Sequence, residues 1–446
     1  MRSFSLSALA ALALPALFSA APAAAQPARS CHYDIRLHDP AALILDVTAR
    51  CDDTGPVAFD RPGEAGMAAA LERFEPGADG RSVQYRFRLG DLAASPEVAQ
   101  RIGPAVISPL SVWLSPPDLP GSTAVTLSVT AGDGLDIATG LPQRDGLLRM
   151  TAADLPYGGF AVFGRFTRRL LPAGGDAKIE LVGFPGRLQL DDATIDTWVT
   201  DSAKAVSQYY GHFPLRHTLI LATPVRGRAG IQFGQVRGGG GGTMLLQIGE
   251  QATRAQLYDG WILVHEMIHL GAPFVTGRSF WLMEGMATYG EPVIRARAGW
   301  YPVPQMWHEF ASQMPRGVDA LTIQSLDAVT RRGIYWGGAI FMLLADIDIR
   351  ERSHSRASLE TCFRAVLNDG GNTTVRWPRA EFLRVCDAAT GTGTMARLAA
   401  RYVTQAAPLD LNALWRDLGV KLTADGVQFD DAAPKAALRR AITAGS

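Results

Sequence analysis

The sequence predicts an α+β architecture in which an N-terminal antiparallel β domain precedes a mainly helical domain. Two observations carry this expectation. Between about residues 30 and 185, short alternating or β-branched runs are punctuated by Gly, Pro and Asp, the pattern of strands joined by turns. From residue 188 onward, apolar residues recur at helical spacing between capping and stopping residues. A chain of 446 residues has room for two or three domains with ample cores.

At the start of the chain, Met1 and Arg2 precede an apolar stretch from Leu6 to Ala21, and Ala23-Ala24-Ala25 supplies a small-residue cleavage site. Residues 1–25 therefore read as a secretory signal peptide. Pro15 interrupts the stretch, and no other run approaches about 18 uncharged apolar residues, so a periplasmic or secreted protein without stable membrane insertion is expected. Cysteine usage agrees with export. Cys31, Cys51, Cys362 and Cys386 are even in number and lack C-x-x-C spacing. Cys31–Cys51 and Cys362–Cys386 are the natural local pairs in an oxidising compartment. Three connectivities, or four free buried thiols, remain compatible with the sequence.

Residues 26–187 are assigned to the β domain. Ala41–Val47, Val83–Leu89, Ala124–Val129 and Lys178–Val182 are its clearest strands. A role in packing against the second domain and shaping its entrance is expected. Lys+Arg and Asp+Glu balance at 43 each, and no basic stripe or tail points to nucleic acid or to a membrane surface. Nothing in the sequence specifies an oligomeric state.

Residues 188–446 form the second domain. Asp191-Asp192 can cap a helix running to about Tyr210. Thr218–Ala222 reads as a buried strand. Gly227–Arg237, the glycines 238–242 and Thr243–Ile248 follow. The glycine run lacks the Lys-Ser/Thr ending of a phosphate loop.

Next comes Val264-His265-Glu266-Met267-Ile268-His269-Leu270, an H-E-x-x-H sequence inside an apolar run. Residues four apart share one helix face, so His265 and His269 can aim two imidazoles at one ion. Glu266 lies about 100° around the helix, where a general base can take a proton from a metal-bound water. Leu257, Trp261, Val264 and Ile268 are expected to form the buried stripe, Gly260 weakens the middle, and Gly271 with Pro273 stops the helix. A zinc site needs a third protein ligand. Glu284 is the next candidate, because a carboxylate flanked by Trp281, Leu282 and Met283 is costly to bury as a free charge. The expected cofactor is one Zn2+ ion.

These residues resemble the gluzincin metallopeptidases. His265-Glu266-x-x-His269 followed by Trp281-Leu282-Met283-Glu284-Gly285-x-Ala287-x-Tyr289 is similar to their zinc-binding blocks. Ile334–Arg350, with Tyr335-Trp336-Gly337-Gly338-Ala339 and Asp346-x-x-Ile349-Arg350, resembles the tyrosine helix of the glycyl aminopeptidase family. The likeness extends over roughly residues 195–430. It implies a thermolysin-like zinc metallopeptidase domain with a helical C-terminal lobe, His265, His269 and Glu284 as ligands, Glu266 as general base, and Tyr335 as an electrophile for the carbonyl oxygen. It also implies that an edge strand beside the glycines binds peptide substrate by β-augmentation, with Gly239, Gly240 and Gly241 as the substrate-binding positions. A mobile hairpin tip is the alternative for that segment. Two departures stand out. Residues 238–248 carry no acid to bind a free α-amine, which leaves aminopeptidase and endopeptidase activity both open. Only fourteen residues separate His269 from Glu284. The short stretch after Val420 leaves no room for the C-terminal PDZ domain of many relatives. A zinc hydrolase acting on a non-peptide substrate, and a non-catalytic envelope binding protein that keeps the fold, are the remaining alternatives.

Overall fold

The computed structural model describes residues 29–444 except 54, 63–68, 93–97, 133, 186–187 and 331. The signal-peptide segment, residues 1–25, lies outside the described residues.

The first part of the chain builds a seven-stranded and a four-stranded sheet. Strand Ser30–His38 alternates strictly, burying Cys31, Tyr33, Ile35 and Leu37 on one face. Its antiparallel partner Ile44–Asp52 sets Cys51 directly opposite Cys31, and the two form a disulfide with a Cα–Cα distance of 4.0 Å. With a period of two, this register sets Leu45, Val47, Ala49 and Cys51 on the same buried face as their partners. The other edge of Ser30–His38 pairs in parallel with Ala124–Ala131, so this sheet is mixed. A parallel partner arrives by a long crossover, which local periodicity does not reveal.

A five-stranded sheet carries the helices. Its spatial order is Thr167–Gly174, Ala177–Gly183, His217–Val225, Gly242–Gly249 and Ile231–Arg237. Two of these strands precede residue 187, so the hydrogen bonding does not follow the division between 187 and 188 expected from composition. Their alternation reads the same as that of the earlier strands, and nothing local names their partner. Central strands His217–Val225 and Gly242–Gly249 are buried on both faces, as covered strands with parallel neighbours are. On one face Leu219, Leu221 and Leu245 pack with Ile107, Phe160 and Val162 of the four-stranded sheet. On the other, Ile220, Met244 and Leu246 pack with the helices. The two parts of the chain are thus joined through an apolar core. Each such side chain contributes about 1.5–3 kcal/mol by leaving water.

Helix Asp192–Tyr210 begins where its cap residue predicts: the Asp191 carboxylate accepts from the Thr194 amide at 2.7 Å. The expected long helix before Leu270 is two helices, Arg254–Asp259 and Ile262–Leu270, broken at an extended Gly260. The break turns Trp261 out of the expected buried stripe, leaving it 49% exposed. Helix Phe280–Arg297 then crosses helix Arg332–Ser353, with Gly285 against Gly338. A Cβ on either glycine would collide with the other's backbone. Behind them lie Leu359–Asn368 and Arg379–Thr390, joined by the Cys362–Cys386 disulfide. Among the described residues no helix is long and apolar enough to cross a membrane.

Candidate metal centre and its cleft

His265 and His269 stand one turn apart on helix Ile262–Leu270, their ring centroids 4.9 Å apart. Glu284 comes from the second turn of helix Phe280–Arg297 and points its carboxylate between them. Its Oε2 lies 3.2 Å from Nε2 of His265 and 3.6 Å from Nε2 of His269. Ligand atoms of the three residues all lie within 4.8 Å of one another. Donors about 2.0–2.1 Å from a tetrahedral ion are themselves about 3.3–3.4 Å apart, so the three residues fit a zinc ion, and two imidazoles with one carboxylate are a donor set that zinc accepts. Burial works to raise the Glu284 carboxyl, but hydrogen bonds from the two imidazoles outweigh it and hold the group well below its ordinary value. Burial likewise works to lower His269, yet the bond and charge of Glu284, with Glu266, carry it above its ordinary value.

Glu266 is 8% exposed and turns toward the edge strand Ile231–Arg237. The Val236 amide donates to its Oε2 at 3.0 Å. Gly234 makes room for this contact, since a Cβ there would lie 2.6 Å from the Glu266 Cγ. Tyr335 sits in the first turn of helix Arg332–Ser353, 41% exposed, its ring stacked on His265 with centroids 6.4 Å apart. Burial, with the charges of Glu284 and Glu266, pushes its phenol above the ordinary value, so it is a hydrogen-bond donor at neutral pH.

These groups face a cleft of about 700 Å³. The edge strand forms one wall from Gln232 to Arg237, and the N-terminal part of the chain contributes Asp154, Pro156 and Tyr157. Of the glycines expected to bind substrate, Gly239 lines the cleft, together with Gly238. Gly240 and Gly241 do not. They are packed into the junction between the two parts of the chain, where a Cβ on Gly240 would lie 2.8 Å from the Cβ of Met150 and one on Gly241 would strike the carbonyl of Gly140. Gly239 and Gly240 also have φ of +96° and +78°, which a side chain disfavours. The end of the run is closely packed, with Gly241 and Gly242 buried, while Gly238 and Gly239 border the cleft.

Several cleft residues carried no motif. Tyr157, Phe233, Trp261 and Phe280 are exposed aromatic side chains, and all line this cleft with Tyr335. Arg237 and Arg376 also line it. Exposed aromatics are a signal only once folding brings them together.

No protein-family model and no curated protein matches the sequence. Solved structures match in fold. An aminopeptidase N family protein from Idiomarina loihiensis is similar over 87% of this chain and 78% of its own, with 15% identity and a TM-score of 0.66. An M1 zinc metallopeptidase from Deinococcus radiodurans is similar over 85% of this chain and 94% of its own, with 16% identity and a TM-score of 0.50. A two-domain M1 zinc metallopeptidase variant bound to L-tryptophan gives 17% identity and a TM-score of 0.51, over 86% of this chain and 96% of its own. This chain has the two-part fold of these zinc metallopeptidases, a β-rich N-terminal part followed by a helical part that brings two histidines and a glutamate together.

Proposed function

We propose that the protein is an exported peptidase that hydrolyses peptide bonds with one zinc ion held by His265, His269 and Glu284. The observation that carries this reading is the convergence of those three side chains, from two crossing helices, to within 4.8 Å. When bound, zinc would acidify a water and polarise the scissile carbonyl. Glu266 takes the proton of the attacking water. Its Oε2 is held by the Val236 amide, so the carboxylate is fixed beside the path of a peptide on the edge strand. Glu266 then passes the proton to the leaving amine. Tyr335 donates its phenolic hydrogen to the carbonyl oxygen as negative charge grows there. The outer strand Ile231–Arg237 offers backbone groups to an extended substrate, a β-augmentation mode. Export is supported by the two disulfides, Cys31–Cys51 and Cys362–Cys386.

The test is a Glu266→Gln variant assayed on a peptide library alongside metal analysis. The expected result is an unchanged zinc content and a fall in kcat of about 10²–10⁴-fold. Peptide cleavage that survives the substitution, or a wild-type protein that binds zinc and cleaves no peptide, contradicts the reading.

A further inference from the structure

The end of the cleft beside Arg237 is built differently from the rest. Arg376 lies on a short strand, Arg376–Trp377, paired with Phe274–Val275. Its guanidinium lies over the ring of Tyr157, at 2.9 Å from the centroid, and over that of Phe274, at 5.0 Å. Three distant parts of the chain therefore fix one cation. Contact with two aromatic faces holds a guanidinium in place while its N–H donors stay available to an anion. Arg376 is exposed and lines the cleft, and among the described residues no carboxylate pairs with it. Arg237 also borders the cleft, but its guanidinium lies over the ring of Phe160 at 5.1 Å, against the buried seam. Three acids line the cleft: Glu266, Glu284 and Asp154. The first two belong to the metal centre. Asp154 accepts from the amide and hydroxyl of Thr151 at 2.8 and 2.7 Å, closing its own turn. The opposite end, at Gln232, Phe233 and Trp261, is uncharged.

We propose that Arg376 forms a carboxylate-accepting subsite, so that preferred substrates carry a carboxylate close to the scissile bond. This rests on the peptidase reading above and names its substrate class. Position follows from the strand. Val236 touches Glu266, and Gly239, three residues on, meets the backbone of Tyr157 under Arg376, so at about 3.4 Å per residue the carboxylate falls within about three residues of the reacting carbonyl.

The experiment measures binding separately from turnover. N-acetylated hexapeptides are titrated into the Glu266→Gln protein by fluorescence anisotropy. Glu is compared with Gln at each position in turn, and a C-terminal acid with its amide, which separates a side-chain carboxylate from a terminal one. The expected result is a preference for the carboxylate of about ten-fold at one position. Adding Arg376→Gln should reduce that preference to about one, and Arg376→Lys should restore part of it. No preference at any position, or a preference unchanged by Arg376→Gln, overturns the subsite. Wild-type cleavage of the same peptides keeps the two claims apart. Cleavage indifferent to the carboxylate overturns the subsite and leaves the peptidase reading standing. Carboxylate-selective binding without cleavage supports the subsite and overturns the peptidase reading.

Discussion

Tyr335 is the side chain whose role is most exposed to a direct check. Its ring stacks on His265, and burial with two neighbouring carboxylates pushes its phenol above the ordinary value. A hydrogen-bond donor that acts only as charge develops is worth about 10²–10³ in kcat. Tyr335→Phe should therefore lower kcat by about that factor, with KM and zinc content nearly unchanged. Steady-state kinetics of the variant decide it, and an unchanged kcat would remove Tyr335 from the reaction. The histidines and Glu266 were readable in the sequence because a single helical turn sets their geometry. Trp261 falls outside the buried stripe because the helix breaks at Gly260, which periodicity alone does not show. Arg376 could not be read at all. Its meaning comes from Tyr157 and Phe274, which lie far away in the chain and reach it only through the fold.

Helices Phe280–Arg297 and Arg332–Ser353 bring Glu284 and Tyr335 to one centre, and they can do so because Gly285 and Gly338 let their backbones touch. A methyl group at this crossing must push the helices apart. Gly338→Ala should cost about 1–3 kcal/mol of stability, as overpacking does, and should weaken zinc binding because Glu284 moves away from the imidazoles. Urea unfolding and a competitive zinc titration measure the two effects. A variant unchanged in both would show that the crossing does not position the ligand. The elements themselves were largely legible. The Asp191 cap set the start of its helix, and the strand after His217 announced itself by an uninterrupted apolar run. The glycine run reads in the sequence as a substrate-binding segment or a hairpin tip. Its end meets Gly140 and Met150, contacts that no local pattern encodes.

The protein's two parts share one cleft and one apolar seam. Phe160 and Val162 of the first part pack on Leu219, Leu221 and Leu245 of the five-stranded sheet, and Tyr157 reaches the cleft beside the metal centre. Composition suggested a division near residue 187, yet Thr167–Gly174 and Ala177–Gly183 hydrogen-bond into the sheet that carries the helices. Strand partners are set by topology, and alternation alone does not distinguish one sheet from another. The expectation that the first part shapes the entrance is supported by Asp154, Pro156 and Tyr157 in the cleft wall. Everything functional in this account depends on a dication held where His265, His269 and Glu284 meet. X-ray absorption at the zinc edge on the purified protein tests this most directly. One zinc per chain is expected, four-coordinate, with two imidazoles and oxygen ligands at about 2.0–2.1 Å, and Glu284→Ala should lose it. A protein that takes up no zinc, or zinc whose first shell contains no imidazole, would contradict the account.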